Sequence, residues 1–306
     1  MSVIVKGLSK QFDNQLAVNQ LSFEAHPGQI LGFLGPNGAG KTTTMKMICC
    51  YIEPNEGTAE VEGYDIRTSP LMVRKQIGYL PEHNPLYEEM YVKEFLQFVA
   101  SIHKIENKNA RISEIIEMTG LGKEQNKIIG TLSKGYRQRV GLAQAIIHDP
   151  KVLILDEPTS GLDMNQLVDI RSLIRELGKE KTVIFSSHIM QEVQALCDRV
   201  LIINDGLLVA NESIEKLSNR MSANQIIHVE FAQKNISPVL FSHIDGIADV
   251  INDHGQFTFT SDSHSDIRKS IFDAAVKNGL TLLEMRQDKA NVEDIFRKLT
   301  KSTSDV

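Results

Sequence analysis

The stretch ILGFLGPNGAGKTT (residues 30–43) decides the reading of the chain. Its first half is a short, unbroken apolar run, as expected of a strand buried on both faces in a parallel sheet. Its second half, Gly35 to Thr42, fits G-x-x-x-x-G-K-[ST] between that strand and a helical stretch, the setting in which this pattern cradles phosphate. Glycines let the backbone curl until N–H groups converge on one anion, and the N-terminus of the next helix adds positive partial charge. Gly35, Asn37, Gly38, Gly40 and Thr43 are candidate nucleotide contacts, with Lys41 expected on the β- and γ-phosphates. Thr42 is expected to ligate Mg²⁺ through its hydroxyl.

A second buried-strand pattern, KVLILDEP (151–158), ends on Asp156 and Glu157. In parallel α/β sheets, ligand-binding groups gather at the carboxyl ends of strands. Asp156 suits an acceptor for metal-bound water, and Glu157 a general base for the water that attacks the γ-phosphate. Alone, such a pair could be an ordinary strand end; beside a phosphate loop it points to nucleoside triphosphate hydrolysis.

Between these motifs lies LSKGY (132–136), where Ser133 and Gly135 open a helical stretch and make a second anion-binding helix start. One γ-phosphate rarely needs two such sites. The second is most economically read as reaching a nucleotide held by another subunit, which makes dimerisation a functional requirement.

Outward from these motifs, residues 3–211 alternate apolar runs and helical patterns, as in an α/β layer structure. The clearest strands are 30–35, 151–156, TVIFSS (182–187) and RVLIIND (199–205). Helices are expected over Lys41–Tyr51, Val92–His103, Arg111–Gly120, Tyr136–Ile147 and Gln166–Leu177, the last stopped by Gly178. Asp205-Gly206 reads as a hairpin turn. The charged run HKIENKNAR (103–111) reads as a solvated face.

The texture changes after Lys216, where SNRMSANQ (218–225) is polar and turn-prone. The expected division is an ATP-binding domain at 1–218, with a helical subdomain at about 85–150, and an accessory α+β domain at 219–306. The tail parses as strands 226–232, 247–252, 256–261 and 280–286, a segment at 237–245 and helices 265–278 and 291–300. That order suggests a ferredoxin-like βαββαβ unit with an added helix.

Composition narrows the class. The 306 residues allow two domains. No apolar run is long enough to span a bilayer, and the start MSVIVKGLSKQF lacks the layout of a secretory signal, so a cytoplasmic protein is expected. Cys49, Cys50 and Cys197 have no metal-like spacing and read as reduced core residues. A formal net charge of −6 argues against a nucleic-acid partner.

Together, residues 35–43, 132–136, 156–157, Ser160-Gly161-Leu162-Asp163 and His188 resemble the ATP-binding subunit of ABC transporters over about residues 3–215. The resemblance implies a P-loop NTPase of the ABC type, with a mixed sheet core and a helical subdomain, that binds ATP and Mg²⁺. It implies a homodimer through the ATP-binding domain, attached to integral-membrane transporter subunits on the inner face of the membrane. Phe12 matches the aromatic residue that stacks on adenine and Val18 the apolar contact beside it; a core strand aromatic is the alternative for Phe12. Ser133 and Gly135 match residues aimed at the opposite subunit's γ-phosphate, Asp163 the loop linking the two sites, and His188 the switch histidine.

Three positions depart from the family pattern. Glu82, in IGYLPEHNPLY (77–87), stands where Gln is usual; its carboxylate could still ligate Mg²⁺, but it adds negative charge near the phosphates. Lys134 and Tyr136 replace the commoner Gly and Gln. With NVEDIF (291–296), these features resemble the drug, polysaccharide and gliding-motility exporter branch, and so imply export.

An importer ATPase shares every catalytic motif and remains an alternative. So do soluble ABC-type ATPases of DNA repair, chromosome organisation or translation. Those relatives carry long coiled coils or two ATPase units, whereas this chain has one phosphate loop and no heptads between Lys41 and Ser133. A third reading gives the tail a sensory or interaction role.

Overall fold

In the computed structural model, which describes residues 2–217, 225–234, 236–253, 256–261 and 266–289, the chain divides into two compact units, Met1–Glu212 and Ser213–Val306. The first is built on the apolar runs. β3 (Ile30–Leu34), β6 (Ile77–Leu80), β7 (Val152–Asp156), β8 (Thr182–Ser187) and β9 (Arg199–Asn204) lie parallel, and β10 (Leu207–Ser213) completes the order β10-β9-β3-β8-β7-β6. Asp205 and Gly206 join β9 to β10 with φ of 47° and 77°, the two positive values a type I′ hairpin turn requires.

Register sets the site. Leu34 pairs with Ser187, and Asp156 with Ser186, so β3, β7 and β8 end level with one another. Every residue of these three strands is buried, so their carboxyl ends are fixed from both faces.

An antiparallel sheet, with order β2-β1-β4-β5, is formed by β1 (Val3–Phe12), β2 (Gln15–Ala25), β4 (Glu56–Val61) and β5 (Tyr64–Asp65). Its inner residues Val3, Val5, Leu21, Phe23, Ala59 and Val61 join Phe33, Met45 and Ile154 in one apolar core.

Helix α1 (Lys41–Ile48) follows the phosphate loop and α2 (Pro70–Gln76) precedes β6. The helical subdomain comprises α3 (Val92–Ile102), α4 (Lys108–Met118) and α5 (Lys134–Ile146), with α3 packed on both of the others. After β7 come α6 (Met164–Gly178) and, past β8, α7 (Met190–Leu196). Two helices begin two residues earlier than expected because polar side chains cap them. Ser133 accepts from the Tyr136 N–H at 3.4 Å, and Asp163 from the Gln166 N–H at 2.9 Å.

Gly178 is the last residue of α6 and not a left-handed stop beyond it, and the right-handed Lys179 follows as the C-cap. The side of Gly178 is occupied instead: a Cβ there would lie 2.7 Å from Ile30 Cδ1. The charged run 103–111 is partly helical, because α4 starts at Lys108. Cys49 and Cys197 are buried free thiols, while Cys50 is half-buried.

The second unit is a four-stranded antiparallel sheet of β11 (Gln225–Phe231), β12 (Ile247–Asp253), β13 (Gln256–Ser261) and β14 (Leu282–Lys289). Its order β12-β13-β11-β14, with α8 (Arg268–Lys277) between β13 and β14, is that of a ferredoxin-like unit. The segment at 237–245 contains a 3₁₀ turn at Pro238–Phe241, in the place where a ferredoxin-like unit carries its first helix. Phe231, Phe241, Phe257 and Phe259 pack edge-to-face and stacked in its core. The helix expected at 291–300 lies outside the described residues.

Candidate nucleotide site

The phosphate loop curls where glycine alone fits. Gly40 has φ of 102°, and a Cβ on it would sit 2.4 Å from the Ala17 carbonyl oxygen. Val18, only 1 % exposed, packs behind Gly40 and braces the loop from the core side. The curled backbone opens into a cavity of ≈ 260 Å³ lined by Asn37 to Thr43, Glu82 and Glu157. Gly35 closes the loop from below, where a Cβ would collide with the Ile203 carbonyl.

Lys41 is buried and its ammonium is occupied by protein. Nζ donates to the carbonyls of Gly35 (2.8 Å) and Pro36 (3.2 Å) and stands 3.7 Å from Glu157 Oε1, an ion-pair distance beyond hydrogen-bond reach. Burial pushes its pKa down, opposed by the charges of Glu157, Asp156 and Glu82. Burial likewise pushes the Glu157 carboxyl up, opposed by His188, whose Nδ1 lies 2.9 Å from Glu157 Oε2. A raised carboxyl pKa beside an imidazole is the tuning that general-base chemistry uses.

The two acids at the end of β7 are held by a residue the sequence reading passed over. Ser186 Oγ accepts the Glu157 N–H at 2.9 Å and donates to Asp156 Oδ1 at 2.6 Å. Glu157 has φ of 49°, a left-handed conformation that an L-residue adopts only when neighbours impose it. Asp156 is fully buried with Oδ2 unpartnered, and Asp156, Glu82 and Thr42 share the lining of an adjoining cavity of ≈ 310 Å³. Oxygen donors around an unpaired buried carboxylate fit a hard divalent cation.

The remaining candidates fall outside this cavity. Phe12 is 46 % exposed at the end of β1, with Lys10 Nζ 5.3 Å from its ring centre, so it is no core aromatic. Ser133, Gly135 and Asp163 do not line the phosphate cavity. They cluster elsewhere: a Cβ on Gly135 would strike Gln166, and the Lys134 ammonium covers Gly161. Lys134 therefore lies against the turn before Asp163 in its own chain.

A second recess, beside β6, has a volume of ≈ 410 Å³ and is lined by Tyr51, Arg74, Tyr79, His103, Gln144 and His148 among others. Its two imidazoles stack at 4.0 Å. Tyr79 OH, Gln144 Oε1 and His148 Nδ1 are buried there without a hydrogen-bond partner.

This combination of parallel sheet, phosphate loop, strand-end acids and helical subdomain defines a P-loop ATPase with an inserted helical layer. A family model described as ABC transporter matches residues 18–160. The bacitracin transport ATP-binding protein BcrA of Bacillus licheniformis is 35% identical over 313 residues, covering 98% of this chain and 98% of that protein. The linearmycin resistance ATP-binding protein LnrL of Bacillus subtilis is 29% identical over 305 residues, covering 97% and 98%. A dimeric ATP-binding cassette solved in a post-hydrolysis state with ADP and Pi shares the fold: TM-score 0.64, 23% identity, 69% of this chain and 98% of that one. The chain belongs to the ABC transporter family as an ATP-binding subunit, and it is an ATPase.

Proposed function

We propose that this ATPase dimerises around two ATP molecules and drives export of a small molecule through separate membrane subunits. ATP occupies the cavity at Asn37–Thr43, with its base on the exposed face of Phe12; Val18, buried behind Gly40, braces the loop and does not meet the base. Lys41 leaves the Gly35 and Pro36 carbonyls for the β- and γ-phosphates. Mg²⁺ is held by Thr42, Glu82 and Asp156. Glu157 takes the proton from the attacking water and His188 steadies both the carboxylate and the γ-phosphate. Ser133 and Gly135 close over the partner subunit's nucleotide, and Asp163 links the two sites.

The observation that carries the chemistry is the row formed by buried Lys41 and Glu157 with the exposed imidazole of His188, with contacts of 3.7 and 2.9 Å, at the mouth of the phosphate loop. Export is supported by likeness to BcrA, named for bacitracin transport, along 98% of both chains, second unit included. The recess with unpartnered Tyr79, Gln144 and His148 atoms supports docking of a polar segment from a membrane subunit, which would place the chain peripherally on the membrane. No helix among the described residues is long and apolar enough to cross a bilayer. A nucleic-acid partner is not favoured by the formal net charge of −6.

Glu157→Gln tests the reading. It should retain ATP binding, lose turnover and run as a nucleotide-dependent dimer in gel filtration. Unchanged turnover would remove Glu157 from the base role. A multi-span membrane protein that co-purifies in mild detergent and stimulates ATPase activity supports the transport assignment; co-purified nucleic acid or ribosomes would overturn it.

A further inference from the structure

Glu192, in the first turn of α7, is a carboxylate only 4 % exposed and outside the nucleotide cavity. A buried carboxylate is retained only with partners, and its partners come from three separate segments. Oε2 accepts from Thr159 Oγ1 at 2.6 Å and from Ser187 Oγ at 2.7 Å, while Oε1 stands 3.9 Å from Arg171 Nη2 on α6. Thr159 is two residues past Glu157, in the turns leading to Asp163. Ser187 immediately precedes His188 and also accepts the Ile189 N–H at 3.0 Å, which shapes the turn carrying the imidazole.

We infer that Glu192 is a positioning residue for hydrolysis, a single carboxylate that fixes the turn after Glu157 and the turn bearing His188 relative to each other. Both hydroxyls converge on one oxygen, so a shift of either turn is transmitted to the other through Glu192. The 2.9 Å contact between His188 Nδ1 and Glu157 Oε2 depends on that registry. The inference rests on the roles proposed for Glu157 and His188.

The test compares Glu192→Ala and Glu192→Gln with Glu157→Gln, using kcat per titrated nucleotide site and ATP affinity. Displacing reacting groups by about 1 Å can cost about 100-fold. Glu192→Ala should therefore lower kcat by roughly 10- to 100-fold, with KM and ATP affinity within about twofold. Glu192→Gln keeps a carbonyl oxygen to accept both hydroxyls and should recover most of the turnover. Thr159→Val removes one hydroxyl without loss of volume and should give a smaller fall in kcat, which keeps the inference testable if the alanine variant folds poorly. Wild-type kcat in both Glu192→Ala and Thr159→Val, or a loss that Glu192→Gln does not repair, overturns it. Retained turnover in Glu157→Gln instead overturns the proposed hydrolytic roles.

Discussion

Ser186→Ala isolates the hydroxyl that orients both acids at the end of β7. Ser186 is fully buried, and its Oγ pairs with the Glu157 N–H at 2.9 Å and Asp156 Oδ1 at 2.6 Å. An unpaired buried N–H costs about 1–3 kcal/mol, and a lost hydrogen bond to a charged group about 1.5–3 kcal/mol. Asp156 Oδ2 already lacks a partner, so no neighbouring donor takes over within the protein. The variant should be destabilised by roughly 3–5 kcal/mol, which for a unit of this size lowers Tm by about 10 °C. Turnover should fall further than stability implies. Freed of the hydroxyl, Glu157 can leave its left-handed φ of 49°, and its carboxylate then no longer meets Lys41 and His188. The assay is thermal unfolding of the apo protein alongside ATPase rate per nucleotide site, at a temperature where both proteins are folded. A variant with wild-type Tm and wild-type rate would refute the argument that this hydroxyl holds the acids.

Two further outcomes follow from other parts of the molecule. Ser133→Arg should block hydrolysis and ATP-dependent dimerisation while leaving ATP binding to the isolated subunit intact, because Ser133 lies outside the cavity of its own chain; equal loss of binding, measured by equilibrium titration, would argue against a shared site. His148 is held to about 4, first by burial and then by the neighbouring His103, against opposing effects from the Ile77 carbonyl (3.1 Å from Nε2) and Asp149; Arg111 adds to the depression. The unfolded chain therefore takes up a proton near pH 6.5 that the folded chain refuses until about pH 4, so stability is lost as pH falls through that window, by about 3 kcal/mol. Tm against pH should be flatter over this range in His148→Phe, and an unchanged slope would exclude the imidazole as its source.

Legibility in the sequence followed how local the determinants were. The buried strands and the phosphate loop were readable because each is contiguous: an unbroken apolar run for β3, β7, β8 and β9, and glycines at fixed offsets from Lys41. The β1–β2 pair was not readable, since register shifts after Val5, Leu8 and Lys10 break the alternation that announces a strand. Gly178 misled for the complementary reason. Its missing side chain answers to Ile30, far away in sequence, and not to a left-handed end of its own helix.

The same division runs through the site. Asp156 and Glu157 stand out as candidates because paired acids at a strand end beside a phosphate loop invite a chemical reading, and His188 because its setting in SSHIMQEV resembles that of the family's switch histidine. Ser186, Ser187 and Glu192 carry no such mark: two serines closing a β-strand read as ordinary, and Glu192 reads as a solvated helix residue. What distinguishes them is convergence in space. Ser186 and Ser187 point to opposite faces of β8, as successive strand residues must, so one reaches back to the acids of β7 and the other forward to Glu192. Two hydroxyls on adjacent residues thus hold opposite flanks of the proposed hydrolytic row. A one-residue slip of β8 against β7 would exchange their faces, so the parallel register fixed by the buried core also fixes where the carboxylates of the site point.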